Sequence, residues 1–479
     1  MNGSMKKKLQ TLPKKICCPE QRAGWTSVCF LLIAFTGLAL IAWWEYVTNN
    51  RLKTFDLDYE GSKYFGILAD IHLDKDSNST HCQNGSSLDG TWINHYPNDY
   101  GARFCDTSPA LLDLTLSELQ NAEKKTQQFE FLAILGDNSG HFTEGVDKSL
   151  EQLNDIHNLI IKYFPSTPVY FTLGNHDLST SHSRMPNNPE NWYKSLWNTM
   201  SPGFQKSEET ILSAMKTFIY YGFYKIKHDD SLWVISLNTN MFMNGINVSK
   251  DLVSAQFSWL NKTLIEAHKL GSVSILLMGH ISPDISFIEF FNWFSHKKMT
   301  WRTECIATFN QIVAPHWQII KLQFYAHQHT NSWFVKEFPS HDYISYFKMP
   351  AVSMSDFGQP SFSVGVVNDN NWELLDLLYY FCPLEIFTRS NRVPSYSFQY
   401  SFKQQNVQYQ EKYSVINGPL LKKITDRIIA FDDGMETYTN ILMNVYQLSF
   451  KPHISPYGTY CVLTENDSDQ LEACLKKYL

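Results

Sequence analysis

The sequence predicts an α/β fold in which helices cover the faces of buried sheets. One observation behind this prediction is a set of five short apolar runs, rich in β-forming residues, which are typical of buried strands. They are YFGILADIH (64–72), FEFLAILGDN (129–138), VYFTLGNHD (169–177), VSILLMGH (273–280) and LQFYAHQH (322–329). The other observation is that helical patterns lie between several of these runs, so that strands and helices alternate along the chain.

Two of the helical patterns have recognisable starts or spacing. SPALLDLTLSELQNAEKK (108–125) opens with Ser108 as a predicted N-cap and Pro109 as the predicted first helical residue. SLEQLNDIHNLIIKYF (149–164) carries apolar residues at helical spacing before the next predicted strand. With 479 residues, of which 43% are hydrophobic, the chain can build a sizeable core around these elements.

Each predicted strand ends in polar residues of the types that bind metal ions. These residues are Asp70, His72, Asp137, Asn175, His176, His280, His327 and His329. Functional residues of α/β folds gather at the carboxyl ends of strands, which favours a single site. An extended backbone would place His327 and His329 on the same side, about 7 Å apart, a spacing that suits one metal centre. Two unrelated loop histidines are the alternative for that stretch.

The order of these motifs resembles the calcineurin-like metallophosphoesterases, and specifically the acid sphingomyelinase-like phosphodiesterases. The motifs are Asp-x-His, Gly-Asp-Asn, Gly-Asn-His-Asp, Gly-His and His-x-His, each behind a predicted strand. The stretches RFCDTSPALLDLTL, ISLNTNMF and YCVLTENDSDQLEACLKKY are also similar to that family, and the resemblance covers roughly residues 62–479. It implies a two-sheet metallophosphoesterase sandwich over residues 62–384, with the metals at one edge. A small, mostly helical C-terminal part, residues 385–479, would follow and be closed by Cys461 and Cys474.

The same resemblance implies a site with two divalent metal ions, usually zinc. Asp70, His72 and His329 would bind the first ion, Asn175, His280 and His327 the second, and Asp137 would bridge both. Neutral imidazoles and carboxylates suit zinc. His176 matches the catalytic histidine of the family, and His141 matches a second histidine that faces the substrate. Asp177 is expected to orient His176.

Two positions depart from the family pattern. Ala326 stands where glycine usually precedes His-x-His, and Asn331 stands where an acidic residue is common. If the backbone at position 326 needed a positive φ, alanine would cost stability or displace the ligands. Neither departure removes a ligand, so activity is expected.

The N-terminal region predicts a membrane anchor. Residues 25–44 contain no charge and are long enough to cross a bilayer, and tryptophans lie at both ends of the run. The predicted parts are a cytosolic tail (1–24), a transmembrane signal anchor (25–47) and a stalk (48–61). The tail is basic, so the positive-inside rule places the rest of the chain in a lumen or outside the cell, as in a single-pass type II protein of a vacuole, a lysosome or the cell surface.

Charge, cysteines and glycosylation motifs agree with this topology. Residues 1–50 carry a net charge of +4 out of a total of −7, so the rest of the chain carries −11 and shows no footprint for a nucleic-acid duplex. Six cysteines follow the anchor and predict three disulfides of open connectivity: Cys82, Cys105, Cys305, Cys382, Cys461 and Cys474. Five N-glycosylation motifs predict a glycoprotein: Asn78, Asn84, Asn247, Asn261 and Asn466.

The sequence leaves the function open between three possibilities. Only about 15 residues separate the anchor from the first strand, too few for a lipid-extracting module of the saposin type, which favours phosphoric diesters of nucleotides or of lipids in the anchoring membrane. The segment from Trp301 to Cys305 is similar to a pattern of vacuolar endopolyphosphatase, so polyphosphate hydrolysis is the alternative. A catalytically silent glycoprotein of the same fold is the third possibility. The oligomeric state and the pH optimum are also left open.

Overall fold

The structure is a computed structural model, and it describes most of the chain from Tyr59 onward. The described residues are 59–75, 99–101, 105–141, 143, 145–178, 189–285, 299–355, 358–384, 393–405, 415–430 and 456–478. The chain divides into two compact units, residues 1–58 and residues 59–479, and every described residue belongs to the second. The predicted tail, the predicted anchor and most of the predicted stalk therefore lie outside the described residues. Within the described ranges, no helix combines the length and the apolar composition needed to cross a membrane.

Two mixed sheets with flanking helices form the fold, as predicted. The first sheet has the strand order β12-β11-β10-β1-β2-β3. Its strands are β1 (Ser62–Leu68), β2 (Leu132–Ile134), β3 (Val169–Phe171), β10 (Ser361–Asn368), β11 (Leu374–Phe381) and β12 (Ser397–Ser401). Only β1, β2 and β3 run parallel to one another, and β10, β11 and β12 continue the sheet with antiparallel pairing.

The second sheet has the strand order β4-β5-β6-β7-β9-β8. Its strands are β4 (Tyr224–Lys227), β5 (Leu232–Ser236), β6 (Ser274–Met278), β7 (Ile320–Tyr325), β8 (Ser332–Glu337) and β9 (Tyr343–Lys348). The central strands β5, β6, β7 and β9 are parallel, and an antiparallel strand closes each side. The sheets pack face to face, with the ring of Phe65 on β1 centred 5.9 Å from that of Phe324 on β7.

All five strands predicted from the apolar runs are present, as β1, β2, β3, β6 and β7. These strands are buried along most of their length, which explains why they appear as continuous apolar runs rather than as alternating patterns. They are also parallel strands of their sheets, so their carboxyl ends lie at one edge of the sandwich. The polar residues that follow them are thereby brought to the same place.

The helices cover the sheets and connect the strands. Those in the described residues are α1 (Pro109–Lys125), α2 (Val146–Tyr163), α3 (Pro189–Met200), α4 (Glu208–Tyr221), α5 (Lys250–Leu270), α6 (Thr303–Val313), α7 (Phe402–Gln405), α8 (Gly418–Ala430), α9 (Pro456–Thr464) and α10 (Ser468–Tyr478). The predicted start of α1 is confirmed, because Ser108 Oγ accepts a hydrogen bond from the Leu111 amide at 3.1 Å and Pro109 is the first helical residue. The second predicted helix is α2.

The C-terminal part contains helices and one strand. β12 extends the first sheet, whereas α8 and α9 pack against β8 of the second. Cys461 on α9 and Cys474 on α10 form a disulfide, as predicted. Residues 431–455, which follow α8, lie outside the described residues.

The prediction of three disulfides is wrong. Cys105 is disulfide-bonded, but Cys305 and Cys382 carry free, buried thiols. They cannot meet because Cys305 lies on α6, whereas Cys382 follows β11 in the first sheet and packs with Leu111 and Met354.

Candidate active site

The residues predicted to bind the first metal ion lie together at the edge where the parallel strands end. His72 Nε2 is 3.2 Å from His329 Nε2, and His329 Nε2 is 3.3 Å from Asp70 Oδ1. All three side chains are buried. Asp70 and His72 follow β1, whereas His329 follows β7, so the two sheets contribute to one group.

The residues predicted to bind the second ion form an adjacent group. His280 Nε2 lies 3.1 Å from Asp137 Oδ2 and 3.1 Å from Asn175 Oδ1. The rings of His280 and His327 are 5.2 Å apart, and the metal-ligating atoms of Asp137, His280 and His327 all lie within 4.8 Å of one another. Strands β2, β3, β6 and β7 supply these side chains.

Asp137 lies between the two groups. Its Oδ2 is 3.6 Å from His72 Nε2 and 3.1 Å from His280 Nε2. Its other oxygen, Oδ1, accepts a hydrogen bond from the His176 amide at 2.8 Å. One oxygen therefore faces both groups of ligands, while the other is held by the backbone.

Several residues of the site have a positive φ, a backbone conformation that residues other than glycine rarely adopt. Among the described residues, eight that are not glycine have a positive φ, and five of these are predicted ligands. They are Asp70, His72, Asp137, His327 and His329. Such conformations cost roughly 1–3 kcal/mol each and are concentrated at functional sites. They also correct the expectation of an extended His-x-His stretch: β7 ends at Tyr325, and the turn beyond it sends His327 and His329 to different groups.

The outward-facing nitrogens of three histidines have hydrogen-bond acceptors. His280 Nδ1 lies 2.7 Å from the Leu135 carbonyl oxygen, His72 Nδ1 lies 3.2 Å from that of Ser139, and His329 Nδ1 lies 3.4 Å from Ser355 Oγ. A carbonyl oxygen fixes the proton on Nδ1 and leaves a lone pair on the inward Nε2. This is the arrangement that a metal-binding histidine requires, so the residues present fit two cations.

Electrostatics support the same conclusion. Burial lowers the pKa of His327 to about 3 and holds the pKa of His72 well below its ordinary value, so both imidazoles are neutral. Burial opposes a charge on His280 as well, but the Asp137 carboxylate outweighs it and raises the pKa of His280 to about 9. The centre of the site therefore attracts positive charge, which a cation would supply in place of a proton.

Two glycines allow the loops after β2 and β3 to approach each other. A Cβ on Gly174 would lie 2.0 Å from the Asp137 backbone nitrogen, and Gly136 has a φ of +88°. Asn240, in the ISLNTNMF stretch, holds the second of these loops, because its Nδ2 donates to the carbonyl oxygens of Leu173 (3.1 Å) and Gly174 (3.2 Å). Glycine before Asp137 and before Asn175 is thus a steric requirement.

Asp177 was expected to orient His176, but its principal hydrogen bonds go to backbone amides of other residues. Its carboxylate accepts hydrogen bonds from the backbone amides of Asp137, Asn138 and Gly174 at 2.8–2.9 Å. Burial, together with the neighbouring Asp137 carboxylate, raises the pKa of Asp177 to about 6. Asp177 therefore fixes the loop that carries Asp137.

The two predicted catalytic histidines lie at the mouth of the site. The His141 ring stacks on His72 with centroids 4.1 Å apart, and the His176 ring is 4.3 Å from that of His141. Both histidines are half-buried, unlike His72, which is fully buried. Both rings therefore lie against His72 of the first predicted group.

Asp106, which was not among the residues predicted for the site, contacts His141. Asp106 Oδ1 lies 2.7 Å from His141 Nδ1, and Asp106 Oδ2 accepts the His141 backbone N–H at 2.6 Å. The carboxylate is buried and lies two residues before Ser108, the N-cap of α1. The only signal in the sequence is the family-like CDTSP stretch, which indicates the start of a helix rather than a partner for His141.

The two departures from the family pattern are accommodated. Ala326 is buried, has no positive φ, and donates its backbone N–H to the His280 carbonyl oxygen at 2.8 Å, so alanine is not strained there. Asn331 Nδ2 donates to the Tyr400 hydroxyl in a buried contact between the two sheets. A neutral amide suits that position because an ionised carboxylate would be costly to bury.

The Trp301–Cys305 segment has a structural role. Trp301 is fully buried, and its Nε1 donates to the Ile281 carbonyl oxygen at 2.9 Å, directly after the predicted ligand His280. Arg302 Nη2 donates to the Met241 carbonyl oxygen at 2.8 Å. Through these two contacts the segment supports the loops behind the site.

Comparisons with known proteins agree with this geometry. The sequence model of the calcineurin-like phosphoesterase family matches residues 64–331, more than half of the chain. Acid sphingomyelinase-like phosphodiesterase 3b of Homo sapiens is 26% identical over 310 residues, which are 62% of each protein.

Two further relatives differ in the reaction that their names state. Sphingomyelin phosphodiesterase 1 of Caenorhabditis elegans is 25% identical over 307 residues, 60% of this chain and 51% of that protein. Endopolyphosphatase of Schizosaccharomyces pombe is 26% identical over 257 residues, 49% of this chain and 40% of that protein. The chain thus spans about half the length of the curated relatives it matches.

Proposed function

Since this chain belongs to the calcineurin-like phosphoesterase family, we propose that it hydrolyses phosphoric diesters with two zinc ions. The observation that carries this proposal is the position of Asp137, whose Oδ2 faces His72 Nε2 at 3.6 Å and His280 Nε2 at 3.1 Å. Two-metal hydrolases use a carboxylate shared between two such groups.

The proposed ligand sets follow the two groups of side chains. Asp70, His72 and His329 would hold one cation, Asn175, His280 and His327 the other, and Asp137 would be shared. Imidazole and carboxylate ligands favour zinc over calcium or magnesium, which prefer oxygen ligands alone. When bound, the two cations would supply an activated water as nucleophile and positive charge against the phosphoryl oxygens.

The histidines at the mouth would handle the leaving group. Asp106 binds His141 Nδ1, which leaves His141 Nε2 as the ring nitrogen that can present a proton to the substrate. His176 lies beside it, and its backbone N–H is fixed by Asp137 Oδ1 at 2.8 Å. Protonation of the departing oxygen by one of these histidines would lower the barrier to ester cleavage.

Diesters are favoured over polyphosphate by two observations. The chain keeps Gly-Asn-His-Asp at positions 174–177, from which the endopolyphosphatase pattern departs. The Trp301–Cys305 segment, which is similar to that pattern, supports the loop after His280, so its presence does not require a polyphosphate substrate. The named relatives include both phosphodiesterases and an endopolyphosphatase, so polyphosphate is the second candidate substrate.

We also propose that residues 25–47 anchor the protein in a membrane and that residues 59–479 face a lumen or the outside of the cell. The apolar run and the basic tail support this topology. A disulfide between Cys461 and Cys474 is consistent with an oxidising compartment. Lipid diesters of the same membrane would then be within reach.

The test uses the purified full-length protein in detergent with zinc at pH 5. A nucleotide diester and long-chain polyphosphate are supplied in parallel, and Asp137→Asn serves as the inactive control. We expect diester cleavage by the wild type and loss of both bound metal and turnover in Asp137→Asn, because the variant lacks the charge of the shared carboxylate. Shortened polyphosphate with an intact diester would make the protein a polyphosphatase.

A silent glycoprotein of the same fold would give a different result. Two bound ions per chain without turnover of any phosphate ester would indicate that the protein acts as an interaction surface and not as an enzyme. Normal turnover in Asp137→Asn would contradict the two-metal proposal itself.

A further inference from the structure

Gln328 lies between two proposed metal ligands and points away from both of them. Its side chain is buried, and Nε2 donates to Asp284 Oδ1 and to the Ile285 carbonyl oxygen, both at 3.2 Å. Ser282 Oγ is within 3.5 Å of the same nitrogen. All three contacts lie in the loop after β6, the strand that carries His280.

Asp284 is itself held by a buried ion pair. Lys348 Nζ lies 2.8 Å from Asp284 Oδ2, and the two side chains are 1% and 0% exposed. Ser282 Oγ donates to Asp284 Oδ1 at 2.8 Å, the oxygen that Gln328 also contacts. Both oxygens of the Asp284 carboxylate are therefore engaged, Oδ2 by Lys348 and Oδ1 by Ser282 and Gln328.

Lys348 ties this network to the strand that precedes the ligands. It is the last residue of β9 and pairs in register with Tyr325, the last residue of β7. Ala326, the next residue, donates its backbone N–H to the His280 carbonyl oxygen at 2.8 Å. The loops after β6 and β7 are thus joined at two points, one on each side of His327.

The geometry requires such a support. His327 and His329 both have a positive φ, which an unsupported loop would leave for a more favourable conformation. A buried ion pair is a poor source of net stability, because well-packed apolar residues often replace one without loss. The fixed geometry of the Asp284–Lys348 pair is therefore better suited to positioning a neighbouring side chain than to stabilising the fold.

We propose that Gln328, held by the Asp284–Lys348 pair, is a positioning residue that fixes His327 relative to His280 and thereby sets the affinity for the cation these two histidines share. The inference rests on the proposed two-metal function. It concerns the cation of His280 and His327 more than the other, because Gln328 joins the two loops that carry these histidines. In the other group only His329 is next to Gln328, whereas Asp70 and His72 lie in the loop after β1.

The test measures metal retention. Gln328→Met keeps most of the side-chain volume and removes the donor, so the Asp284–Lys348 pair stays intact. The full-length protein, loaded with zinc, is dialysed against a graded series of chelator concentrations, and metal per chain is measured by mass spectrometry. We expect Gln328→Met to lose one of its two ions at roughly 10–100-fold lower chelator than the wild type, the range typical of residues that orient metal ligands.

Two further variants keep the test decisive. Gln359→Met removes a buried glutamine of the first sheet that accepts the Leu384 N–H at 3.2 Å, and it should retain both ions like the wild type. Gln328→Asn keeps the amide but shortens its reach, so it serves if the methionine variant fails to fold. Melting temperatures of the metal-free proteins show whether Gln328→Met and Gln359→Met differ in stability alone.

Each outcome bears on one of the two claims. Selective early loss of one ion from the Gln328 variant supports the positioning role. Retention of both ions at wild-type chelator concentrations, or simultaneous loss of both ions, overturns it while leaving the two-metal function intact. A wild-type protein that holds no ions overturns both.

Discussion

At the scale of single residues, the chemistry of the site depends on how each side chain is held. The proposed ligands are histidines and carboxylates whose outer atoms are bound by backbone groups, as with His280 Nδ1 at the Leu135 carbonyl oxygen. The same principle applies to His141, which is oriented by Asp106 rather than by a backbone group. Asp106 is therefore the residue outside the predicted site whose replacement should affect turnover most directly.

Asp106→Asn should lower kcat by roughly 10–100-fold while both metal ions are retained, because His141 loses its charged partner without any change in the ligands. The loss should be larger for an alkyl diester than for a p-nitrophenyl diester, since a good leaving group needs little proton donation. Steady-state kinetics on both substrates, with metal content measured in parallel, checks this.

Asp113→Asn is a matched control on α1, where an exposed carboxylate accepts the Tyr163 hydroxyl at 2.8 Å. It should leave kcat unchanged. Equal losses on the two substrates in Asp106→Asn would argue against proton donation through His141.

At the scale of elements, helix α2 carries a histidine that makes stability depend on pH. His157 is buried on this helix, its Nε2 has no hydrogen-bond partner, and a Cβ on Gly203 would lie 2.7 Å from its ring. Burial lowers the pKa of His157 to about 4. Because the pKa is lower in the folded protein than in the unfolded chain, this contribution to stability is full above about pH 6.5 and is lost as the pH falls towards 4.

His157→Leu should reduce the loss of stability on acidification. Between pH 7.5 and pH 5, protonation of the unfolded chain at His157 costs the wild type about 2 kcal/mol of unfolding free energy, and leucine removes this difference. Denaturant unfolding at the two pH values, compared between wild type and variant, measures it. An identical pH dependence in the two proteins would show that His157 keeps its ordinary pKa when folded.

At the scale of the whole molecule, three of the predicted glycosylation motifs lie in the described residues. In the proposed topology all three would be on the lumenal side, so their exposure can be compared. Asn247 and Asn261 are exposed, whereas Asn466 is fully buried. Asn466 also exchanges two amide hydrogen bonds of 3.1 Å with Asn310, which leaves no room for a glycan in the folded protein. Three motifs that look equivalent in sequence therefore differ in accessibility.

In a eukaryotic secretory host, glycans should be found on Asn247 and Asn261 and not on Asn466. Peptide mass spectrometry after enzymatic glycan release gives the occupancy of each site. Absence of glycans from both exposed motifs would contradict the proposed lumenal placement, because cytosolic proteins do not receive them. Occupancy of Asn466 would instead contradict the buried position of that residue.

The sequence by itself determined the elements that place the site. Apolar runs before polar clusters identified β1, β2, β3, β6 and β7, because strands buried on both faces leave a continuous apolar signal. The start of α1 was also predictable, since Ser108 and Pro109 act locally. The seven proposed ligands are among the polar residues that follow these strands, and the resemblance to the family selects them from that set.

Only the tertiary structure decided what depends on distant parts of the chain. The free thiols of Cys305 and Cys382, the burial of Asn466 and the contact between Asp106 and His141 each depend on residues far apart in sequence. The turn that separates His327 from His329 is likewise stabilised by the loop after β6, through Gln328 and Asp284. Local patterns determine strands and helices because their causes are local, whereas pairing, exposure and orientation are determined when the two sheets meet.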